Sequence, residues 1–180
     1  MVNQGIGGNQ VIGPASYTPA NAIAGGPSAL ARLDSDVIAL PGVSTVIWLE
    51  GTNDFGTEKA SAEAVIAGVR EGVRRMREKI PGVRIIMATI TSALNATNGR
   101  HGTAEVKASR QAFNAFVRTA GIFDGVVDFD AATLDPATGE LKAEFQPNTS
   151  IGGPGDKLHP NRLGYQAMGA AFDLKMVVGK

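Results

Sequence analysis

Three nearly continuous apolar segments, separated by amphipathic stretches, constrain the fold of this chain more than any other feature. Val43–Glu50 (VSTVIWLE), Val83–Ser92 (VRIIMATITS) and Gly125–Phe129 (GVVDF) are rich in β-branched residues and punctuated by Gly or Pro. They do not alternate polar with apolar, as strands with one wet face do, so they suit parallel strands covered on both faces. Helical periodicity fills the intervals. One helix is expected from about Ser28 to Leu40, with Leu30, Leu33, Val37 and Leu40 on a common face and Pro41 as its stop. A second runs from about Ser61 to Ile80 through Val65, Val69, Val73 and Met76, and ends at Pro81-Gly82. A third covers roughly Thr103 to Ala120, burying Val106, Phe113, Phe116 and Val117, and a last one follows His159-Pro160-Asn161. Strands alternating with such helices predict an α/β domain built on a parallel sheet.

At 180 residues the chain suits one domain, 1–180, with a sizeable core. Lys plus Arg and Asp plus Glu both number 17, so no net charge draws the chain toward nucleic acid or an anionic membrane. The basic cluster Arg70, Arg74, Arg75, Arg77 and Lys79 is interleaved with Glu71 and Glu78 and reads as a solvated helix face. No apolar run is long enough to span a membrane. Met1 leads straight into Val2-Asn3-Gln4-Gly5 without a basic or apolar leader, so no signal peptide is expected in this form; a processed or truncated secreted protein would read the same, and localisation stays open. There is no cysteine, which removes disulfides, thiolate ligands and cysteine nucleophiles. The two histidines, His101 and His159, are far apart in sequence, and His101 has no ligand-like neighbour, so no metal site is expected.

Three short motifs could carry chemistry. In Asp156-Lys157-Leu158-His159-Pro160, the i, i+3 spacing lets a carboxylate meet an imidazole, fix its tautomer and support its protonated form. A His capping a helix start accounts for the same residues equally well. Gly51-Thr52-Asn53-Asp54 directly follows the first strand, at the carboxyl end where parallel sheets place ligands. The Asn53 amide can donate to a developing oxyanion, while Asp54 is read as holding the turn. The loop Asn3-Gln4-Gly5-Ile6-Gly7-Gly8-Asn9 can aim backbone N–H groups at an anion, but lacks the spacing of a nucleotide-binding P-loop.

Taken in order, the glycine-rich loop, Gly-x-Asn-Asp after a strand and Asp-x-x-His-Pro before a final helix resemble the SGNH, or GDSL-like, hydrolases. The resemblance runs from Val2 to about Leu174. It implies a three-layer α/β/α, flavodoxin-like domain and a carboxylic ester hydrolase acting on a small-molecule ester with no metal or organic cofactor. It also implies His159 as general base, Asp156 as its orienting acid, and Gly8 and Asn53 as oxyanion donors.

The family's Gly-Asp-Ser block does not occur in the sequence, so the nucleophile is unknown and the amino-terminal strands are expected to be missing. Ser16 and Ser150 lie in loops that could approach His159; a water activated by His159 is the other route. A catalytically impaired fragment or pseudoenzyme that binds acylated or carbohydrate ligands is the alternative reading. In the family's strand order VSTVIWLE would lose a central neighbour, and an exposed apolar edge is one that proteins normally cover. A partner subunit, giving a homo-oligomer, a swapped segment, or residues 9–27 folded back as a strand are the expected covers.

Overall fold

A computed structural model describes residues 1–178. Three parallel strands form the sheet: β1 (Thr45–Trp48), β2 (Arg84–Ala88) and β3 (Gly125–Val127), in that spatial order. Trp48 pairs with Met87 and Ala88 with Val127, so the strand ends lie level at the carboxyl side. The helices are α1 (Ala29–Leu33), α2 (Thr52–Gly56), α3 (Ala62–Lys79), α4 (Ala104–Thr119), α5 (Phe129–Thr133), α6 (Arg162–Ala170) and α7 (Lys175–Val178). A single 3₁₀ turn, Ala143–Phe145, interrupts the long loop before α6. No described helix is long and apolar enough to cross a membrane.

The parallel α/β architecture expected from the sequence is present, and alternation along β2 explains the layering. Ile85 and Met87 join Val65, Val69, Met76, Phe113 and Val117 in the main core, whereas Ile86 and Ala88 join Val127, Phe129, Phe172 and Met176 in a second cluster. A strand sends successive side chains to opposite faces, so β2 is apolar throughout because both faces are covered. The strands are shorter than the apolar runs. Thr89 N–H makes the last ladder bond, to the Val127 carbonyl at 3.0 Å, and the Asn114 side chain then takes over the Ile90 backbone, accepting its N–H and donating to its C=O, both at 2.8 Å.

Capping sets the main helix starts. Ser28, Ser61 and Thr103 accept the Ala31, Ala64 and Val106 N–H groups at the amino ends of α1, α3 and α4. The helix expected from Ser28 to Leu40 is α-helical only through Leu33. It then widens into a π-helical turn, Asp34–Ile38, closed by Ala39 N–H donating to the Asp34 carbonyl at 2.8 Å.

β1 is an edge. Its partner on one side is β2; on the other lies a groove of about 950 Å³, lined by residues that include Leu33, Val37, Val43, Ile47 and Leu49 and crossed by residues 1–6. Ile47 and Leu49 are each 46% exposed. Residues 9–27, expected as one cover for this edge, form no replacement strand. Their backbone is drawn toward α1 instead, where Gln10 and Val11 carbonyls accept the Ala29 and Leu30 N–H groups at 2.8 and 3.2 Å.

Candidate active site

The DxxHP segment forms a closed turn. Asp156 Oδ1 accepts the backbone N–H groups of Leu158 (3.0 Å) and His159 (2.8 Å), and Oδ2 lies 2.6 Å from His159 Nδ1. Both carboxylate oxygens are therefore engaged, and the His159 tautomer with hydrogen on Nδ1 is selected. Burial opposes the Asp156 charge, but the hydrogen bonds from His159 and Leu158 outweigh it and hold the carboxyl below its ordinary range. The Asp156 side chain is 12% exposed, whereas that of His159 is 53% exposed. Lys157 takes the turn's positive φ of 58°. Asn161 then caps α6 by accepting the Leu163 and Gly164 N–H groups, while its amide donates to the Glu144 and Pro147 carbonyls. The cap of α6 is therefore Asn161 and not His159, whose Nδ1 is engaged by Asp156.

Asn53 lies in the first turn of α2. Gly51 makes the turn possible: its φ of 120° is one that L side chains rarely adopt, and a Cβ there would press on the Ile90 side chain. Asn53 Nδ2 donates to the Asn9 carbonyl at 3.0 Å, and Asn53 Oδ1 lies 3.2 Å from His101 Nε2. Asp54 is fully buried and accepts Val11 N–H (2.8 Å) and Ile12 N–H (3.0 Å), consistent with its reading as a loop-holding residue. Burial raises its carboxyl above the ordinary range, against the lowering effect of these backbone donors.

Gly8 turns the glycine-rich loop with a φ of 82° and is exposed, directly before the buried Asn9. Asn9 pins the loop: Nδ2 donates to the Gly25 and Pro27 carbonyls at 2.6 and 2.7 Å, and Oδ1 accepts from Arg32 Nε and Nη2. Gly8 and Asn53 are thereby linked through the Asn9 backbone.

The remaining connection runs through the loop after β2. Thr97 N–H donates to the Asp156 carbonyl at 3.0 Å, and Glu140 accepts from both Asn95 and Lys157. The same loop carries His101, which is buried and touches Asn53. Burial lowers the His101 pKa, helped by the charges of Arg100, Lys59 and His159, with Asp156 opposing them. Sequence reasoning passed over His101 as an isolated loop histidine; its partner is 48 residues away.

Ser16 and Ser150 are exposed, and among the described residues neither hydroxyl hydrogen-bonds His159. Ser92 donates to the Gly139 carbonyl at 2.7 Å and serves the loop packing.

Several solved structures share this arrangement of elements. A GDSL-like lipase from Bacteroides thetaiotaomicron VPI-5482 superposes with a TM-score of 0.63 at 16% identity, over 82% of this chain and 68% of that one. The aryl esterase of M. smegmatis gives 0.62 at 11% identity, over 91% and 71%. A carbohydrate esterase family 3 protein from Talaromyces cellulolyticus gives 0.54 at 19% identity, over 91% and 73%. At such identities the likeness establishes the fold alone. No curated protein matches by sequence. The sequence profile described as the GDSL-like Lipase/Acylhydrolase family, however, matches residues 1–167, a span that holds the glycine-rich loop, the GTND turn and the DxxH turn. The chain belongs to the GDSL-like lipase/acylhydrolase family of ester hydrolases.

Proposed function

We propose that this protein hydrolyses small carboxylic esters in a cleft formed between the GTND and DxxH turns. The observation that carries the reading is the 2.6 Å contact between His159 Nδ1 and Asp156 Oδ2, with the rest of the ring open to solvent. In this reading His159 Nε2 takes the proton of the attacking hydroxyl and later delivers it to the leaving alcohol. Asp156 fixes the ring and stabilises its protonated form. As the carbonyl becomes tetrahedral, its oxygen gathers charge and receives the Gly8 backbone N–H and the Asn53 amide N–H not used on Asn9.

The attacking oxygen is either a water deprotonated by His159 or the hydroxyl of Ser16 or Ser150 after loop rearrangement. Water gives slow turnover, because a serine–histidine–aspartate system lacking one member keeps only ~10³–10⁴-fold acceleration over the uncatalysed reaction. The second reading, a catalytically impaired relative that binds acylated or carbohydrate ligands, is favoured by the absence of a serine–His159 hydrogen bond among the described residues. Hydrolysis of p-nitrophenyl acetate by the purified chain separates the two. Turnover abolished by His159→Ala supports the first reading, and ligand binding without turnover supports the second. Ser16→Ala, Ser150→Ala and a serine-directed phosphonate label then identify any recruited hydroxyl; no labelling points to water.

The β1 edge belongs to the same proposal. Unpaired strand N–H and C=O groups beside exposed Ile47 and Leu49 favour pairing with another chain or a swapped segment. Since Asn53 lies five residues beyond Trp48, a strand added there would also steady the oxyanion side of the cleft.

A further inference from the structure

We propose that His101 is a positioning residue for the reaction, holding the Asn53 amide so that one of its N–H bonds points into the cleft. The inference rests on the reading of Asn53 as an oxyanion donor.

The hydrogen-bond chain fixes its own polarity at both ends. Asn98 Oδ1 already accepts two backbone N–H groups, those of Arg100 (3.0 Å) and His101 (3.1 Å). The Asn98 group facing His101 Nδ1 at 3.0 Å is therefore the NH₂, a donor, and Nδ1 must be the bare, accepting nitrogen. The ring hydrogen then sits on Nε2 and donates to Asn53 Oδ1. At the other end, Asn53 Nδ2 faces the Asn9 carbonyl, which can only accept. Each amide thus has one allowed orientation, and Asn53 is left with a single uncommitted N–H. A rotated Asn53 would set its NH₂ against the His101 N–H and its oxygen against the Asn9 carbonyl, losing both bonds.

Packing points the same way. The His101 ring lies against the backbone of Gly56, in α2 one turn beyond Asn53, and a Cβ at Gly56 would run into the ring. The helix that carries Asn53 has no side chain at the position where the ring seats. His101 is buried, and its ring nitrogens are both used within this chain, so it is not a second base.

The test joins ring and amide NMR with steady-state kinetics. In the wild-type protein, ring ¹⁵N–¹H correlations should show His101 protonated on Nε2 with Nδ1 bare; hydrogen on Nδ1 overturns the proposal. The Asn53 NH₂ signals should shift in His101→Phe and return toward their wild-type positions in His101→Gln, whose amide can donate. Signals unmoved in both variants overturn it. On p-nitrophenyl acetate, His101→Phe should lower kcat about tenfold or more with KM within about twofold, as expected for a misplaced catalytic donor. His101→Gln should recover most of the loss, and adding His101→Phe to Asn53→Ala should cost nothing further. If Asn53→Ala slows turnover and His101→Phe does not, His101 has no positioning role. If Asn53→Ala itself leaves the rate unchanged, the oxyanion reading fails, and the NMR signals still judge the His101–Asn53 contact. Should His101→Phe not fold, or turnover be too slow to measure, the wild-type tautomer and the His101→Gln amide signals decide.

Discussion

Asp54 and Val11, 43 residues apart, meet through a 2.8 Å hydrogen bond from the Val11 backbone N–H to a carboxylate that is wholly buried. Ile12 supplies a second N–H to the same group. Asp54→Ala should leave both donors unsatisfied and cost about 2–3 kcal/mol. Asp54→Asn should recover only part of this, because one amide oxygen replaces two carboxylate oxygens. Urea denaturation of the two variants measures both. Burial raises the Asp54 pKa, so the folded state holds its proton to higher pH than the unfolded chain does. The wild type should therefore lose stability as pH rises from about 4 through the folded-state value, a slope absent in Asp54→Asn.

The DxxH turn makes a kinetic prediction. His159→Ala should abolish ester hydrolysis whichever oxygen attacks. Asp156→Asn should lower kcat by about 10²–10⁴-fold, since the amide can present N–H to Nδ1 and favour the wrong tautomer. The Asp156 carboxyl is held below its ordinary range, so its stabilising contribution is complete above about pH 4 and fades as pH falls through the folded-state value. Thermal melts from pH 6 to 3 should show a shallower decline for Asp156→Asn.

His101 predicts a second loss of stability toward acid, one that begins at higher pH than that of Asp156. Its folded-state pKa is depressed, first by burial and then by Arg100, Lys59 and His159, with Asp156 opposing. The unfolded chain then binds the proton more readily, so stability should fall as pH drops below about 6.5. His101→Gln should flatten this step in denaturation midpoints. Gly56→Ala, which forces the ring to move, should cost about 1–3 kcal/mol and slow turnover together.

At the β1 edge, light scattering should report a species larger than one chain, whether a partner subunit or a swapped segment covers the strand. Ile47→Lys and Leu49→Lys place charge on the exposed strand and should shift the population toward monomer. A wild-type monomer with the strand bare would refute edge pairing.

The strands and long helices were legible because their signals are local: β-branched runs for β1–β3, and three-to-four spacing with Ser or Thr caps for α3 and α4. The five-residue helices α2 and α5 were not, since neither spans two turns and so neither shows a period. The π-helical turn after Leu33 was hidden for a related reason, because Val37 keeps an apolar period while the backbone widens around it. Within the site, the Asp156–His159 pair could be read from spacing because three residues of turn bring the two groups together. The contacts of Asn53 with Asn9 and His101 could not, for they span 44 and 48 residues and depend on how two loops close over the sheet.

Asn9 has a consequence beyond its place in the loop. Its side chain clasps the Gly25 and Pro27 carbonyls and the Arg32 guanidinium, Arg32 holds the Gln4 carbonyl, and the Asn9 carbonyl receives Asn53. Segments that look like independent loops in sequence thus share one set of fastenings. Native-state amide exchange should find residues 4–12, the start of α1 and α2 opening together with a common free energy, rather than as a frayed terminus beside a stable helix. A lesion in any one of them would then be felt as a loosening of all three, and the glycine-rich loop would behave as a folded component of the cleft rather than as a tail laid over it.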